Sequence, residues 1–310
     1  MLQFLNYVIT HGPPWSAKGL HVGLPIGTIF FLDYAQTAVG FATFLDPDVN
    51  SMIKHVLNAW ADFLQSKSSA AVLDASASGW FSSPALAALT SAANIGGTTY
   101  TFDEMFVCDP SAPYHGFQSW DAFFTRTFRE DIRTVAFPDD NSIIVNACES
   151  QPTALVKGVK ARDSFWIKGQ SYSLSDMIGQ NYSNHFVGGT VYQGFLSAFS
   201  YHRWHAPVSG KIVKTYTING TYSSAPLSTD GSPSTWADYP AYNTATSTRA
   251  VILIEADNPA IGLMTFLAVG QAEVSTCEIT VKEGVYVKKG DQLGSKGNMA
   301  VRSQLGTVMP

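Results

Sequence analysis

The densest run of chemically capable side chains is Tyr201-His202-Arg203-Trp204-His205-Ala206-Pro207, two histidines three residues apart beside an arginine and two aromatic rings. Imidazole titrates near neutral pH, so two rings in a sheltered cleft can divide general-base work and substrate positioning between them. The competing reading is that one of the pair is a satisfied core residue. A zinc reading of the pair lacks a third ligand at a recognisable spacing, so no metal is expected there. Glu149, in Val145-Asn146-Ala147-Cys148-Glu149-Ser150, follows an apolar stretch and can orient or polarise a histidine that the fold brings close, although acids in such places are usually solvated. Arg126 sits in the run Asp121 to Arg129, where the aromatics fall at helical spacing and a guanidinium can hold a carboxylate or phosphate through two parallel hydrogen bonds.

Two kinds of pattern must position these groups. Up to about residue 95 the period is helical: Met52, Ile53, Val56, Leu57, Trp60, Phe63 and Leu64 form one apolar stripe on a helix that Asp46 caps and Pro47 starts. That stripe is expected to be core. A second helix is expected over 83–93, with a boundary at Gly96-Gly97. Beyond Thr101 short β-rich runs follow at 143–146, 191–199, 210–218, 251–255, 263–269 and 273–281, interrupted by one short helix capped by Ser119. The segment 222–247, rich in Ser, Thr, Pro and Gly, reads as a surface loop or a lid. The expected architecture is α+β: a helical N-terminal domain, residues 1–97, followed by a β-rich, hybrid-barrel-like domain, residues 98–310.

Composition narrows the function. The chain has 310 residues, 45% of them hydrophobic, and can bury a sizeable core. A net charge of −5 without a basic run gives no footprint for nucleic acid. Three widely spaced cysteines suit a reducing compartment, and a cytoplasmic location is expected. The apolar stretch from Val22 to Leu45 carries Asp33 and Gln36 and reads as a buried helix instead of a membrane span. No G-x-S-x-G and no H-E-x-x-H is present, which removes the commonest serine-hydrolase and metalloprotease readings.

Read together, 123–129 (FFTRTFR), 146–150 (NACES), 168–174 (KGQSYSL), 201–213 (YHRWHAPVSGKIV) and 288–294 (KKGDQLG) resemble the phosphatidylserine decarboxylase family in order and spacing. The likeness is greatest to its fungal branch, which includes an L-tryptophan decarboxylase and carries a helical N-terminal domain. Taken alone, 283–294 is also similar to a hairpin of biotin- and lipoyl-carrier domains. The resemblance implies a self-cleaving zymogen whose serine becomes a pyruvoyl cofactor, an electron sink for decarboxylating an amine substrate. It implies that His205 assists self-cleavage, that His202 serves decarboxylation, and that Glu149 stands where many members have aspartate. Arg126, Tyr201 and Trp204 are expected to contact the substrate.

The departure lies after Gly294. The family presents a Gly-Ser pair a few residues beyond the turn; here Gly294-Ser295 comes early and Gly306-Thr307 comes late with a different hydroxyl. The barrel domain therefore reads as truncated at its end, with no cleavage serine at the family spacing and Ser295 as the fallback candidate. The expectation is an amino-acid decarboxylase by descent, with an aromatic, tryptophan-like substrate, inactive as this sequence stands. The alternatives are a phosphatidylserine decarboxylase of phospholipid biosynthesis, which would associate with membranes, and a non-catalytic binding protein. A small amino acid or phosphatidylserine is the expected partner, and an oligomer is allowed for.

Overall fold

The computed structural model describes residues 2–16, 33–163, 171–197, 199–227, 239–272, 274–275, 277–295 and 303–309. The first part holds the helices α1 (Leu2–Ile9), α2 (Ala38–Leu45), α3 (Pro47–Leu64) and α4 (Ser83–Ala93). Side chains meet the orphan backbone donors at their starts. Asp46 Oδ1 accepts from the N–H groups of Asp48 at 2.8 Å and Val49 at 3.1 Å, and Pro47 opens α3 where a missing N–H costs nothing. Thr37 and Ser82 cap α2 and α4 in the same way.

The stripe on α3 is buried unevenly. Trp60 and Leu64 are buried, but Met52 is 61% exposed, which corrects the expectation that the whole stripe is core. The large cluster that takes up Trp60 and Leu64 reaches only the second half of the helix. That cluster joins Trp80, Phe81 and Leu89 to Phe102, Met105, Phe106, Trp120, Phe123 and Phe124, and then to Phe199 and Tyr201. Trp120 N–H also donates to Ser69 Oγ at 2.9 Å, so residues on both sides of Gly97 share one core.

After residue 101 five short α-helices are present among the described residues, where the sequence pattern suggested one: α5 (Phe102–Met105), α6 (Trp120–Phe124), α7 (Leu174–Ile178), α8 (Gln180–Ser183) and α9 (Pro240–Thr246). Ser119 does cap α6, accepting from Ala122 N–H at 3.1 Å. The other helices are too short to display a 3.6-residue period.

Ten strands follow: β1 (Gln151–Lys157), β2 (Thr190–Leu196), β3 (Arg203–His205), β4 (Gly210–Ile218), β5 (Arg249–Ala256), β6 (Leu263–Val269), β7 (Glu278–Ile279), β8 (Tyr286–Val287), β9 (Gln292–Ser295) and β10 (Ser303–Met309). Seven form one antiparallel sheet in the order β1-β2-β10-β6-β5-β4-β8, and three form a second in the order β3-β9-β7. With β1 and β8 as edges the large sheet is a curled half-barrel. β5 reads as a nearly continuous apolar run because both its faces are covered. Ala250, Ile252 and Ile254 pack with Trp204, Ile212 and Phe266, while Val251 and Leu253 pack with Leu174, Met177 and Ile178.

The expected strands over 210–218 and 263–269 form as read. The run 143–146 does not form a strand; it lies beside β3, with Val145 N–H donating to the Pro207 carbonyl at 3.0 Å. Of 273–281 only β7 is strand, and residues 273 and 276 lie outside the described set. The segment after the Gly290 turn supplies β9, and residues 303–309 supply β10 between β2 and β6. The described parts of 222–247 are not a surface loop: Tyr222, Ala225, Tyr239 and Tyr242 are buried, and residues 228–238 lie outside the described set. Among the described residues no helix is long and apolar enough to cross a membrane, and 22–32 of the apolar stretch lie outside them.

The uneven burial of α3 gives a direct check. Trp60→Ala should cost about 3–5 kcal/mol of unfolding free energy, whereas Met52→Ala should stay within about 0.5 kcal/mol, measured by urea unfolding of the two variants.

Candidate active site

The site is built where β3 meets the turn 288–291. β3 pairs with β9 through Arg203 and Ser295, then Trp204 and Gly294, and then, after a bulge, His205 and Gln292. Side chains alternate along a strand, so Trp204 points into the sheet core against Phe266 while Arg203 and His205 share the other face. The extra residue opposite His205 is a β-bulge, a device that re-aims a side chain next to a site. Gly294 is required in this ladder, because a Cβ there would come within 2.3 Å of the Glu278 carbonyl and 2.8 Å of the Trp204 ring.

His205 is held at both ends. Its Nδ1 lies 2.8 Å from the Gly290 carbonyl, which can only accept, so Nδ1 carries the proton and Nε2 presents its lone pair. That lone pair takes the Tyr201 hydroxyl at 3.0 Å. Burial holds the imidazole below its ordinary pKa, against the opposing bond to Gly290, so the ring is neutral and basic at Nε2 near pH 7. Burial likewise pushes the Tyr201 phenol up to about 12, which keeps it a donor.

Glu149 reaches the same place through the backbone. His205 N–H donates to the Ala147 carbonyl at 2.8 Å, and this bond lays the segment 145–149 alongside β3. Burial raises the Glu149 carboxyl above its usual range, opposed by Arg133 and Arg126. Oε1 accepts from Arg133 Nε, and Oε2 meets no hydrogen-bond donor among the described residues. Arg133 itself spans to the Ala93 carbonyl at the end of α4 and covers the Phe128 ring at 4.6 Å.

Glu149, Arg133, Tyr201 and His205 line one cavity of about 840 Å³, walled also by Ile95, Phe128, Cys148 and Phe195. This is the size of a small-molecule site. Glu149 and His205 thus line one cavity although more than fifty residues of chain separate them. His202 does not join them: it is fully buried behind the wall, stacked on Phe124 with ring centroids 4.0 Å apart.

Two expected substrate contacts are corrected. Trp204 faces the core for the reason given above. Arg126 is buried, donates to the carbonyls of Phe199 at 2.9 Å and Phe123 at 3.3 Å, and lies over the Phe106 ring at 4.5 Å. Burial pulls its pKa down to about 10, and the guanidinium anchors the segment 199–201 instead of meeting a ligand. Tyr201 does line the cavity. Ser295 is not at the turn: it ends β9, the middle strand of the small sheet, opposite Arg203 and Glu278, 6% exposed and outside the cavity wall. Lys289, at the carrier-like turn, is buried and bonded to the carbonyls of Phe137 and Asp140, so it cannot serve as a carrier lysine. Sequence reasoning missed Arg133, for no motif or period marks it and its partner is sixteen residues away.

A protein-family model described as phosphatidylserine decarboxylase matches residues 120–295, and a second of that description matches residues 1–89. Decarboxylase iboD of Amanita muscaria is 42% identical over 293 residues, covering 88% of this chain and 80% of that protein. The L-tryptophan decarboxylase of Psilocybe cubensis is 38% identical over 276 residues, 84% of this chain and 62% of that protein. Phosphatidylserine decarboxylase proenzyme 3 of Schizosaccharomyces pombe is 29% identical over 195 residues, 62% of this chain and 19% of that protein. The chain thus spans less than two thirds of the length of the second and third relatives.

The lowered His205 pKa sets a pH dependence. Below about 6.5 the unfolded imidazole binds a proton that the folded one resists, so stability falls as pH drops from 6.5 toward the folded value. Glu149 has the opposite sign, losing stability as pH rises through the window above 4.5. Urea unfolding across pH 5 to 8 should show that His205→Gln flattens the acid side of the profile.

Proposed function

Because the chain belongs to the phosphatidylserine decarboxylase family, we propose that it is an amino-acid decarboxylase by descent whose cavity receives a free, aromatic amino acid. Members of this family are carboxy-lyases that work with a pyruvoyl group made from their own serine. The observation that carries the reading is that a neutral His205, bonded to the Tyr201 hydroxyl, lines the same cavity as Glu149 and its partner Arg133.

An amino acid enters as a zwitterion, and carbonyl chemistry on its nitrogen needs the free amine. The Tyr201 hydroxyl takes a proton from the ammonium as it passes its own to His205 Nε2, with the Gly290 carbonyl holding the imidazolium that results and Glu149 beside them in the cavity wall. Arg133 keeps Glu149 in place through Oε1. The apolar wall of Ile95, Phe128 and Phe195 suits an indole or phenyl side chain, which favours tryptophan-like substrates over a phospholipid head group.

The pyruvoyl group does not fit the serine at hand. Residues 290–310 contain one Gly-Ser pair, Gly294-Ser295, and its backbone is paired on both sides, with β3 and with β7. A peptide held flat in a ladder and away from the cavity is poorly placed for attack by the serine hydroxyl on the preceding carbonyl. The chain as it stands is accordingly proposed to remain an uncleaved proenzyme, and no step through the group is derived.

Intact-mass analysis of the recombinant protein should give one polypeptide, unchanged in cleavage by Ser295→Ala; two fragments with a blocked terminus at residue 295 would overturn this. Replacing the residues after Gly294 with a family-type ending should restore cleavage and decarboxylation. In that restored protein His205→Gln should lower the rate by about 10²–10⁴. Assays on tryptophan and on phosphatidylserine vesicles decide the substrate class.

A further inference from the structure

Away from the cavity, the fold gathers three potential ligands that the sequence keeps apart. Asp103 lies in α5, whose start is fixed by a reciprocal bond pair between Thr101 and Glu104. Cys108 follows just after the helix. His115 comes back at the end of the loop 107–117, where Tyr114 and His115 both adopt left-handed backbone angles, φ 55° and 51°. Consecutive left-handed residues other than glycine are strained, and such strain gathers at ligand clamps. The strain is what turns the His115 ring back toward α5.

The result is compact. Asp103 Oδ1 lies 3.2 Å from His115 Nδ1 and 3.4 Å from Cys108 Sγ, and all three atoms lie within 4.8 Å of one another. Among the described residues this is the one group of three His, Cys, Asp or Glu ligands so placed. A tetrahedral zinc ion with bonds of about 2.0–2.3 Å separates its ligands by about 3.3–3.8 Å, so the two printed distances suit its edges.

We propose that Asp103, Cys108 and His115 form a zinc site with its fourth position open to solvent. The Asp103 side chain is 39% exposed and that of His115 22%, which leaves water access on one side. Charges balance: a carboxylate and a thiolate neutralise the dication, with His115 neutral. Binding converts Cys108 S–H to a thiolate and releases its proton to solvent, so affinity rises with pH. Without metal, burial and Asp103 push the thiol up to about 11.

The surroundings are built to hold the ligands still. The His115 ring stacks on Phe81 with centroids 4.0 Å apart. Arg129 grips the backbone of both other ligands, donating from Nε to the Asp103 carbonyl at 2.7 Å and from Nη2 to the Cys108 carbonyl at 3.0 Å. Arg129 also lines the cavity, so the site braces the cavity wall from outside.

The test uses the full-length chain, incubated with zinc and passed through gel filtration. One equivalent of zinc should be retained, Cys108→Ser and His115→Ala should each lose it, and Cys277→Ala, whose thiol bonds the Ala268 carbonyl elsewhere, should keep it. Cobalt in place of zinc should give a thiolate-to-metal charge-transfer band that disappears in Cys108→Ser, a readout independent of stability. Retention of no zinc by the unaltered chain, retention undiminished in both ligand variants, or a cobalt complex without the thiolate band would each overturn the proposal.

Discussion

The bond from His205 Nδ1 to the Gly290 carbonyl is the constraint on which the site depends. It fixes the tautomer, and through the tautomer it decides which nitrogen is available for chemistry. It can form only because the turn 288–291 returns the chain to β3, with Ala206 N–H donating to the Asp291 carbonyl at 2.7 Å and Gly290 N–H to the Ala206 carbonyl at 2.8 Å. Gly290 has φ +91°, and a Cβ on it would strike Val135 at 2.3 Å. A glycine at the turn and a histidine on the strand are thus one device, set 85 residues apart in the chain.

Around this device the protein places charge where water is scarce. Arg126 lies among the rings of Phe102, Phe106 and Phe123, its two terminal nitrogens donate to main-chain carbonyls, and its Nε meets no acceptor among the described residues. Truncating a buried cation of this kind would remove the donor that meets the Phe199 carbonyl, so its role is to fix the path of 199–201. Arg133 and Glu149 stand at the cavity edge instead. Arg133 opposes the burial that raises the Glu149 carboxyl above its usual range, while Oε2 meets no donor among the described residues. Two arginines in one short stretch of chain therefore do different work, and depth of burial separates them.

The helical part contributes to the site as well as to the core. The end of α4 supplies Ala92 and Ile95 to the cavity and the Ala93 carbonyl to Arg133. A cavity edge shared between α4 and the segment beyond residue 120 ties the shape of the pocket to how the helical part packs. The same shared core, running from Trp60 through Trp80 to Phe199 and Tyr201, carries any displacement of the helices to the strand that bears the histidines.

Local physics made much of this legible in the residues themselves. Caps at Asp46, Ser82 and Ser119 mark helix starts because a side-chain oxygen within three residues of an orphan N–H is a local matter. The strands over 210–218 and 263–269 show in their composition, and 201–207 stands out as a chemical cluster. What the residues could not show is which face each side chain takes. The pairing of β3 with β9 sets Trp204 on the core face, His202 stacks behind the wall on Phe124, and Arg126 turns inward, none of which spacing encodes. The partnership of Arg133 with Glu149 and the meeting of Asp103, Cys108 and His115 are likewise tertiary. Type and local spacing settle what a side chain can do, because propensity and capping act over a few residues; which groups meet is decided by burial and register between distant segments, which only the closed chain specifies.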